Sequence, residues 1–332
     1  MPPAGPYYLF IRILEACNAN CFMCRFARST DRFRADRGAL ASVMAQARRE
    51  GVRVVRFTGG EPLMHPDLAG IVADVRDLGL MSSIITNGYK LARAIPDLAA
   101  AGLDQVVVSI DGATADSHDE FRGTPGLFDR CVSGLEAALE HDVRLRVNTV
   151  VGPHNYQEMP ALQRLLTQLG VTEWELSSLK LERPLDYAPE QIADILARVV
   201  PEVYDHGPGR GLLKPLGKIW CGDTPAERDL YFRTGVTPRP DHACLVVHRV
   251  RYFDMKEGML YPCSLLPHRP YAPTAGHPVP SDAAFTTVSA AMMKTAREFE
   301  TKGPQLCTGC STTAAGYGNS LAHAAATEPW VY

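Results

Sequence analysis

The chain has 332 residues, of which 46% are hydrophobic and 21% are charged, and its formal net charge is −3. This length allows one large domain or two smaller ones with a buried core, while the small net charge gives no electrostatic signature of binding to nucleic acid or to an anionic membrane. No stretch approaches the roughly 18 consecutive apolar residues of a transmembrane helix, and the N-terminus lacks the pattern of a signal peptide, so we expect a cytoplasmic protein.

Short strand-like runs alternate with helical patterns in the first part of the chain. Apolar, aromatic and β-branched residues bounded by Gly, Asn or Asp predict six strands, at residues 7–14, 53–60, 82–88, 105–112, 143–152 and 172–181. Residues 38–51 carry apolar side chains at i, i+3, i+4 and i+7, which predicts a helix, and Asn155 is predicted to cap a helix that ends at Gly170. Six right-handed parallel βαβ units predict an α/β fold, a partial (β/α)6 TIM-like barrel with its site at the carboxyl ends of the strands.

The sequence pattern changes after Val200. Residues 206–218 are rich in Gly and Pro, which predicts a linker. Alternating residues on both sides of a turn at 256–258 predict a β-hairpin within residues 244–263, and a helix is predicted near residues 289–302. We therefore expect four segments, which are a barrel at 1–205, a linker at 206–240, a small α+β domain at 241–310 and a tail at 311–332.

The loop after the first predicted strand reads CNANCFMC and carries three of the nine cysteines, Cys17, Cys21 and Cys24. The cytoplasm keeps thiols reduced, so metal ligation is the leading explanation. Three thiolates at this spacing can converge on one face of a [4Fe–4S] cluster, which usually takes four cysteines, and would leave one iron open to a non-protein ligand. The alternatives are a zinc site completed by a distant His and a chance cluster.

A second motif, GGEP at residues 59–62, ends the second predicted strand one βα unit later. Its two glycines permit close approach of the backbone to a ligand. Together the two motifs resemble those of the radical S-adenosylmethionine (SAM) superfamily, over roughly residues 7–200. The resemblance implies that the three cysteines of the loop hold a [4Fe–4S] cluster, whose open iron is chelated by the amino and carboxylate groups of SAM. It also implies that three residues of the second motif bind the SAM amino group, namely Gly59, Gly60 and Glu61.

The resemblance extends to single SAM contacts further along the chain. Ser109, in the stretch SIDG, resembles a SAM-contacting position, Arg122 resembles the partner of the SAM carboxylate, and Asn148 resembles a ribose contact. Met23 stands where family members often place an aromatic residue against adenine, with Phe22 before it, and a Met side chain can still contact the ring. As alternatives, Ser109 could simply end a strand at a turn, and Arg122 could be a surface charge.

Four late cysteines can close a tetrahedral set of ligands, Cys244, Cys263, Cys307 and Cys310. By ligand type alone, zinc and a fully ligated [4Fe–4S] cluster both fit this set. The spacing resembles the auxiliary-cluster domain of many radical SAM enzymes, in the shortened "twitch" version of the SPASM domain, because Gly316 and Ser320 stand where further cysteines would be expected. The resemblance implies one auxiliary [4Fe–4S] cluster. Cys131 is predicted to be a buried apolar residue, and Cys221 to be structural, with a substituted ligand or a hydrogen-atom donor as alternatives.

The resemblance also implies a chemistry. Radical SAM enzymes take one electron from a donor such as flavodoxin or ferredoxin, cleave SAM, and use the 5′-deoxyadenosyl radical to remove a hydrogen atom from the substrate. Similar single-cluster twitch enzymes act on small antibiotic precursors, as the butirosin aminocyclitol dehydrogenase and the blasticidin cytosylglucuronate decarboxylase do. We therefore expect an oxidoreductase or lyase acting on a sugar or cyclitol, with net alcohol dehydrogenation first. Alternatives are decarboxylation of a glycosyl-uronate nucleoside, epimerisation of an aminoglycoside, peptide modification and, in a different class, a zinc-stabilised binding protein without redox chemistry.

Charged residues after the sixth predicted strand are the candidate substrate contacts. Glu182 could act as the base in an alcohol oxidation, and Lys180 or Arg183 could clamp a substrate carboxylate. His248 and Arg251, on the predicted hairpin, could face the same cavity. The alternative for each of these residues is a solvated surface charge.

Overall fold

The computed structural model describes residues 7–179, 185–204, 211–216, 219–220, 224–234, 249–264, 277–279 and 287–288. Its strands are β1 (Tyr8–Leu14), β2 (Val54–Gly59), β3 (Met81–Thr86), β4 (Gln105–Ser109), β5 (Arg144–Val151), β6 (Glu173–Ser178), β7 (Pro215–Leu216), β8 (Val250–Asp254), β9 (Met259–Tyr261) and β10 (His277–Pro278). Its α-helices are α1 (Arg37–Arg49), α2 (Leu68–Asp77), α3 (Leu91–Ala101), α4 (Ala115–Arg122), α5 (Leu127–Leu139), α6 (Met159–Gln168), α7 (Pro189–Asp194), α8 (Val200–Tyr204) and α9 (Pro225–Thr234). Short 3-10 turns lie at Arg25–Arg28, Pro62–Met64 and Tyr156–Glu158, and a π turn at Ile195–Val199 joins α7 to α8.

The ten strands form one open sheet in the order β10-β9-β8-β1-β2-β3-β4-β5-β6-β7. The strands from β1 to β7 are parallel to their neighbours, as expected where helices connect successive strands. All six predicted strands are present, and the predicted partial barrel is confirmed, since β7 and β10 are the two edges of the sheet in the described part of the chain.

The core lies between the sheet and the helices that connect its strands. Strand β5 shows the pattern, because Leu145, Val147 and Val151 are at most 3% exposed and belong to the core, while the residues that alternate with them point to the opposite, inner face of the sheet. Helix α1 follows its prediction, with a buried stripe and an N-terminal cap in which the Asp36 carboxylate accepts a hydrogen bond from the Ala39 N–H at 2.9 Å.

Asn155 differs from its predicted role. It precedes the 3-10 turn that leads into α6, but its side chain does not cap that turn. Its amide Nδ2 instead donates to the carbonyl oxygens of Asp111 and Val150, both at 2.8 Å. The buried side chain therefore joins β5 to the loop that follows β4, and bonding to these backbone carbonyls takes the place of the predicted cap.

The predicted hairpin is present as β8 and β9, which pair antiparallel. Strand β8 also pairs in parallel with β1, so the hairpin continues the sheet of the barrel. Part of the predicted linker is ordered, because it contains β7 and α9, and Tyr231 and Phe232 of α9 are at most 1% exposed. Gly and Pro indicate where regular secondary structure ends. They do not reveal that Tyr231 and Phe232 are buried by tertiary contacts. The predicted helix near residues 289–302 lies outside the described residues.

No helix within the described ranges is both long enough and apolar enough to cross a membrane.

Candidate active site

The three-cysteine loop lies at the carboxyl end of β1. Cys21 is buried and Cys17 and Cys24 are half-buried. The loop is tightly wound, because the Ala19 N–H donates to Cys17 Sγ at 3.4 Å and the Cys24 N–H donates to the Cys21 carbonyl at 3.1 Å. Burial raises the pKa of the Cys17 thiol to about 11 and also raises that of Cys21, so binding a metal cluster here would release protons.

The two glycines of GGEP lie directly against this loop. The Gly60 N–H donates to the Leu14 carbonyl at 3.0 Å, and a Cβ on Gly60 would be 2.0 Å from the Ala16 carbonyl oxygen. Gly59 has a φ of +139°, and a Cβ there would be 2.3 Å from the Leu14 oxygen. The two glycines are therefore needed because the backbone of residues 14–16 passes close to them. The sequence alone suggests close approach of a ligand instead.

Glu61 is buried and links two strand ends. Its carboxylate accepts hydrogen bonds from the Thr86 hydroxyl at 2.6 Å, the Asn87 N–H at 2.7 Å and the Leu63 N–H at 3.0 Å. Burial raises its pKa, while these donors act in the opposite direction. The Asn87 amide in turn donates to Asn18 Oδ1 at 2.8 Å and lies 3.8 Å from Cys17 Sγ, so the cysteine loop is held to the ends of both β2 and β3.

Arg122 is buried beneath the same loop and is not a surface charge. Its Nε donates to Asp111 Oδ2 at 2.5 Å, and its Nη1 lies 3.8 Å from Cys21 Sγ. Burial alone would lower the pKa of Arg122, but the adjacent Asp111 carboxylate raises it above its usual value. Asp111 also accepts from the Val150 N–H at 2.7 Å, so it connects Arg122 to β5.

The remaining predicted SAM contacts lie on the neighbouring strands and at the loop. Ser109 and Asn148 are paired in register across β4 and β5. Met23 is half-buried against the core, whereas Phe22 is 46% exposed. The Phe22 ring makes edge contacts with Phe121 and His154, with centroids 5.1 and 5.6 Å apart, and those two rings stack at 4.6 Å.

Sequence reasoning missed several residues that contact the cysteine loop. Asn87, Phe121 and His154 all touch the cysteine loop. The only sequence signal for Asn87 is a polar residue following a strand, which is how ligand-facing residues are arranged in parallel α/β sheets. Nothing in the local sequence marks Phe121 or His154, because their contact depends on tertiary structure.

Arg251 does not face the barrel interior, so the prediction for it is wrong. It is paired in register with Leu9 on the helix-facing side of the sheet, is fully buried, and has Glu50 of the α1 terminus as its nearby charge. Burial lowers its pKa to about 10. Eight further residues of the sequence predictions lie outside the described ranges, namely Lys180, Glu182, Arg183, Cys221, Cys244, His248, Cys307 and Cys310. Cys263 is described, and it is half-buried after β9.

The donor set of the loop is compatible with an iron–sulfur cluster. Three thiols from one loop lie beside N–H donors from Asn87 and Arg122, as sulfur ligands of iron–sulfur clusters do. In the described part of the chain, no group of three or more His, Cys, Asp or Glu side chains is arranged to hold a metal ion. This also holds for the three loop cysteines, so the finding does not distinguish a cluster from a zinc ion.

Comparison with known proteins gives the same assignment. Residues 11–166 match the family model of the Radical SAM superfamily. These residues are therefore similar to a radical SAM domain. The match supports the predicted cofactors, SAM and a [4Fe–4S] cluster, and the curated relatives that the chain resembles are named as enzymes.

Two curated relatives illustrate the extent of the similarity. An AdoMet-dependent heme synthase of Methanosarcina barkeri is 33% identical over 178 residues, which covers 52% of this chain and 50% of that protein. A probable GTP 3′,8-cyclase of Saccharolobus solfataricus is 32% identical over 174 residues, covering 52% of this chain and 56% of that protein. The chain thus spans about half the length of the curated relatives it matches.

Solved structures support the fold over a longer part of the chain. SuiB of Streptococcus suis, bound to its precursor peptide SuiA, has a TM-score of 0.65 at 16% identity, covering 87% of this chain and 65% of SuiB. The structure of anSMEcpe with bound AdoMet has a TM-score of 0.63 at 16% identity, covering 92% of this chain and 88% of that chain. At this identity the likeness concerns the fold alone.

Proposed function

We propose that the protein is a radical SAM enzyme in which Cys17, Cys21 and Cys24 ligate the [4Fe–4S] cluster. The observation that carries the proposal is the convergence on this loop of contacts from three other predicted positions. Glu61 reaches the loop through Asn87, Arg122 lies beside Cys21, and the GGEP glycines pass under residues 14–16. When bound, the cluster and SAM supply a 5′-deoxyadenosyl radical that removes a hydrogen atom from the substrate.

The protein's own residues would orient and insulate that chemistry. The Asn87 amide and the Arg122 guanidinium would donate to the cysteine sulfurs, which is one way in which a protein sets the potential of such a cluster. Because Asp111 holds Arg122 through Nε, the other nitrogens of the guanidinium are left to face the cysteine loop and the SAM carboxylate. Ser109 and Asn148 would contact the nucleoside part of SAM, and Met23 the adenine.

The reaction we propose is hydrogen abstraction from a sugar or cyclitol carbon, with net alcohol dehydrogenation as the outcome. The names of the curated relatives, a heme synthase and a GTP cyclase, support a small molecule over a peptide. Decarboxylation and epimerisation stay as alternatives, with Glu182, Lys180 and Arg183 as the proposed substrate contacts. The electron would come from a donor such as flavodoxin or ferredoxin.

We further propose that Cys244, Cys263, Cys307 and Cys310 hold an auxiliary [4Fe–4S] cluster in a twitch domain. Its support is the position of Cys263, two residues after β9, on a hairpin whose first strand is paired with β1. A hairpin fixed to β1 would keep a second cluster at a constant position relative to the first.

Iron content after anaerobic purification tests both cluster proposals. We expect brown protein with roughly eight irons per chain, and roughly four in Cys263→Ala and in a Cys17→Ala/Cys21→Ala/Cys24→Ala variant. Colourless protein that contains zinc would contradict the proposal and would support the zinc-stabilised binding protein. Product analysis with candidate sugars and cyclitols then separates the reactions, because dehydrogenation gives a ketone, decarboxylation releases carbon dioxide, and epimerisation in deuterated water places deuterium on carbon.

A further inference from the structure

A row of buried polar side chains crosses the inner face of the sheet. The Arg56 guanidinium donates to Ser83 Oγ at 3.1 Å and to Gln105 Oε1 at 2.9 Å. The Arg146 guanidinium donates to Glu173 Oε2 at 2.8 Å. All five side chains belong to residues at most 7% exposed, and they are satisfied by one another, as buried polar groups must be. They form a closed polar floor across strands β2 to β6.

One layer closer to the cysteine loop, the inner face is open. Asn148, Glu175 and Ser177 are half-buried, whereas the residues that alternate with them on β5 and β6 are buried. Asn148 is paired in register with Glu175, and Ser177 Oγ donates to Asn148 Oδ1 at 3.1 Å. This more accessible layer above the polar floor, which we call the chamber, carries hydrogen-bonding groups.

Glu175 is the charged group of this chamber. On the inner face of β1–β6, as described, the acidic residues are Glu173 and Glu175. Glu173 is buried against Arg146, while the Glu175 side chain is 31% exposed. Arg146 lies 2.8 Å from Glu173 but 3.5 Å from Glu175, so the second contact is at the limit of a hydrogen bond. The Glu175 carboxylate therefore keeps capacity to accept from a molecule in the chamber.

We infer that Glu175 is a substrate-binding residue, which accepts a hydrogen bond from a hydroxyl or ammonium group of a small polyol or amino-polyol. Asn148, its neighbour across β5 and β6, and Ser177 complete the polar wall of this site. This inference rests on the proposed function, in which Asn148 contacts the ribose of SAM, so that a molecule bound by Glu175 lies beside the cofactor. It names a substrate contact that is independent of the charged residues after β6.

The test uses reconstituted full-length protein with SAM, dithionite and two probes deuterated on carbon, myo-inositol and 2-deoxystreptamine. Transfer of deuterium from probe to 5′-deoxyadenosine, measured by mass spectrometry, reports a probe carbon next to the radical. We expect transfer from at least one probe. In Glu175→Gln the probe concentration at half-maximal transfer should rise about tenfold or more, because a charged acceptor is replaced by a neutral amide oxygen, which accepts a weaker hydrogen bond. A larger effect with 2-deoxystreptamine would indicate that an ammonium group of the probe donates to Glu175. An equal effect with both probes would indicate that a hydroxyl group donates.

Two comparisons keep the result interpretable. Glu136→Gln makes the same chemical change on the exposed side of α5 and should leave the probe concentration at half-maximal transfer unchanged. Glu175→Asp keeps the charge and should restore part of the loss if Glu175→Gln folds poorly. Equal transfer in wild type and Glu175→Gln, or no transfer from either probe while 5′-deoxyadenosine is formed, would overturn this inference alone. Failure of the wild type to form 5′-deoxyadenosine would instead overturn the proposed function.

Discussion

At Gly59 the end of β1, just before the cysteine loop, passes so close to β2 that no side chain fits. We expect Gly59→Ala to lose iron, because its Cβ would sit 2.3 Å from the Leu14 oxygen and push the loop away. Gly170→Ala is the matched control, since Gly170 also has a positive φ but has no atom within 4 Å of a Cβ. Both changes cost about 1–3 kcal/mol of backbone strain. Iron content per chain checks the difference, and full iron in Gly59→Ala would refute this account of the glycines.

The ion pair between Arg122 and Asp111 is buried, so breaking it leaves an uncompensated charge. We expect Asp111→Asn to lower the free energy of unfolding by about 3–5 kcal/mol. The control is Asp74→Asn, which removes the pair between Arg37 and Asp74 on the surface, where the side chains are 48% and 24% exposed. That change should cost at most about 1 kcal/mol. Urea titration of anaerobically purified protein measures both, and similar losses would show that Arg122 does not depend on Asp111.

At the scale of elements, the junction of β1 with β8 depends on charged side chains. Arg12 of β1 donates to Asp254 of β8 at 2.6 Å and also contacts Glu15, all of them buried. We expect Asp254→Asn to destabilise the hairpin by about 1–3 kcal/mol, with faster hydrogen exchange of the β8 and β9 amides. Lys256→Ala removes only the half-exposed contact with Asp31 and should leave that exchange unchanged. Equal exchange rates in the two variants would show that the buried pair of Arg12 and Asp254 does not hold β8 to β1.

The same scale shows which parts of the fold the sequence reveals. The strands β1 to β6 are readable because each is a short run of apolar and β-branched residues with a polar end, and the cysteine loop because its ligands are local. The pairing of β8 with β1 joins residues about 240 positions apart, and no local pattern reports it. The prediction for Arg251 is wrong because every residue of β8 is buried, so alternation does not distinguish the two faces. Glu175 escaped attention for a similar reason, since its exposure depends on the neighbouring strands.

At the scale of the whole molecule, the fold brings the three-cysteine loop, the GGEP glycines and the C-terminal end of α4 to the carboxyl ends of the strands of a single sheet. The C-terminal hairpin extends that sheet on one side, and α9 covers part of the other, where Ser178 of β6 and Tyr231 bond through their hydroxyls at 2.6 Å. The inner face between these additions carries a closed polar floor and an open polar layer. This arrangement suits a small polar molecule held next to a cofactor at the carboxyl ends of the strands.

The measurement that tests the central claim most directly is the formation of 5′-deoxyadenosine from SAM by reconstituted protein under anaerobic conditions with dithionite. We expect the wild type to form it, and the single variants Cys17→Ala, Cys21→Ala and Cys24→Ala to form none. Cys131→Ala, which changes a buried cysteine of the core, should remain active. If the wild type forms no 5′-deoxyadenosine, or if a variant lacking one of the three loop cysteines forms as much as the wild type, the assignment of this loop as the cluster site is contradicted.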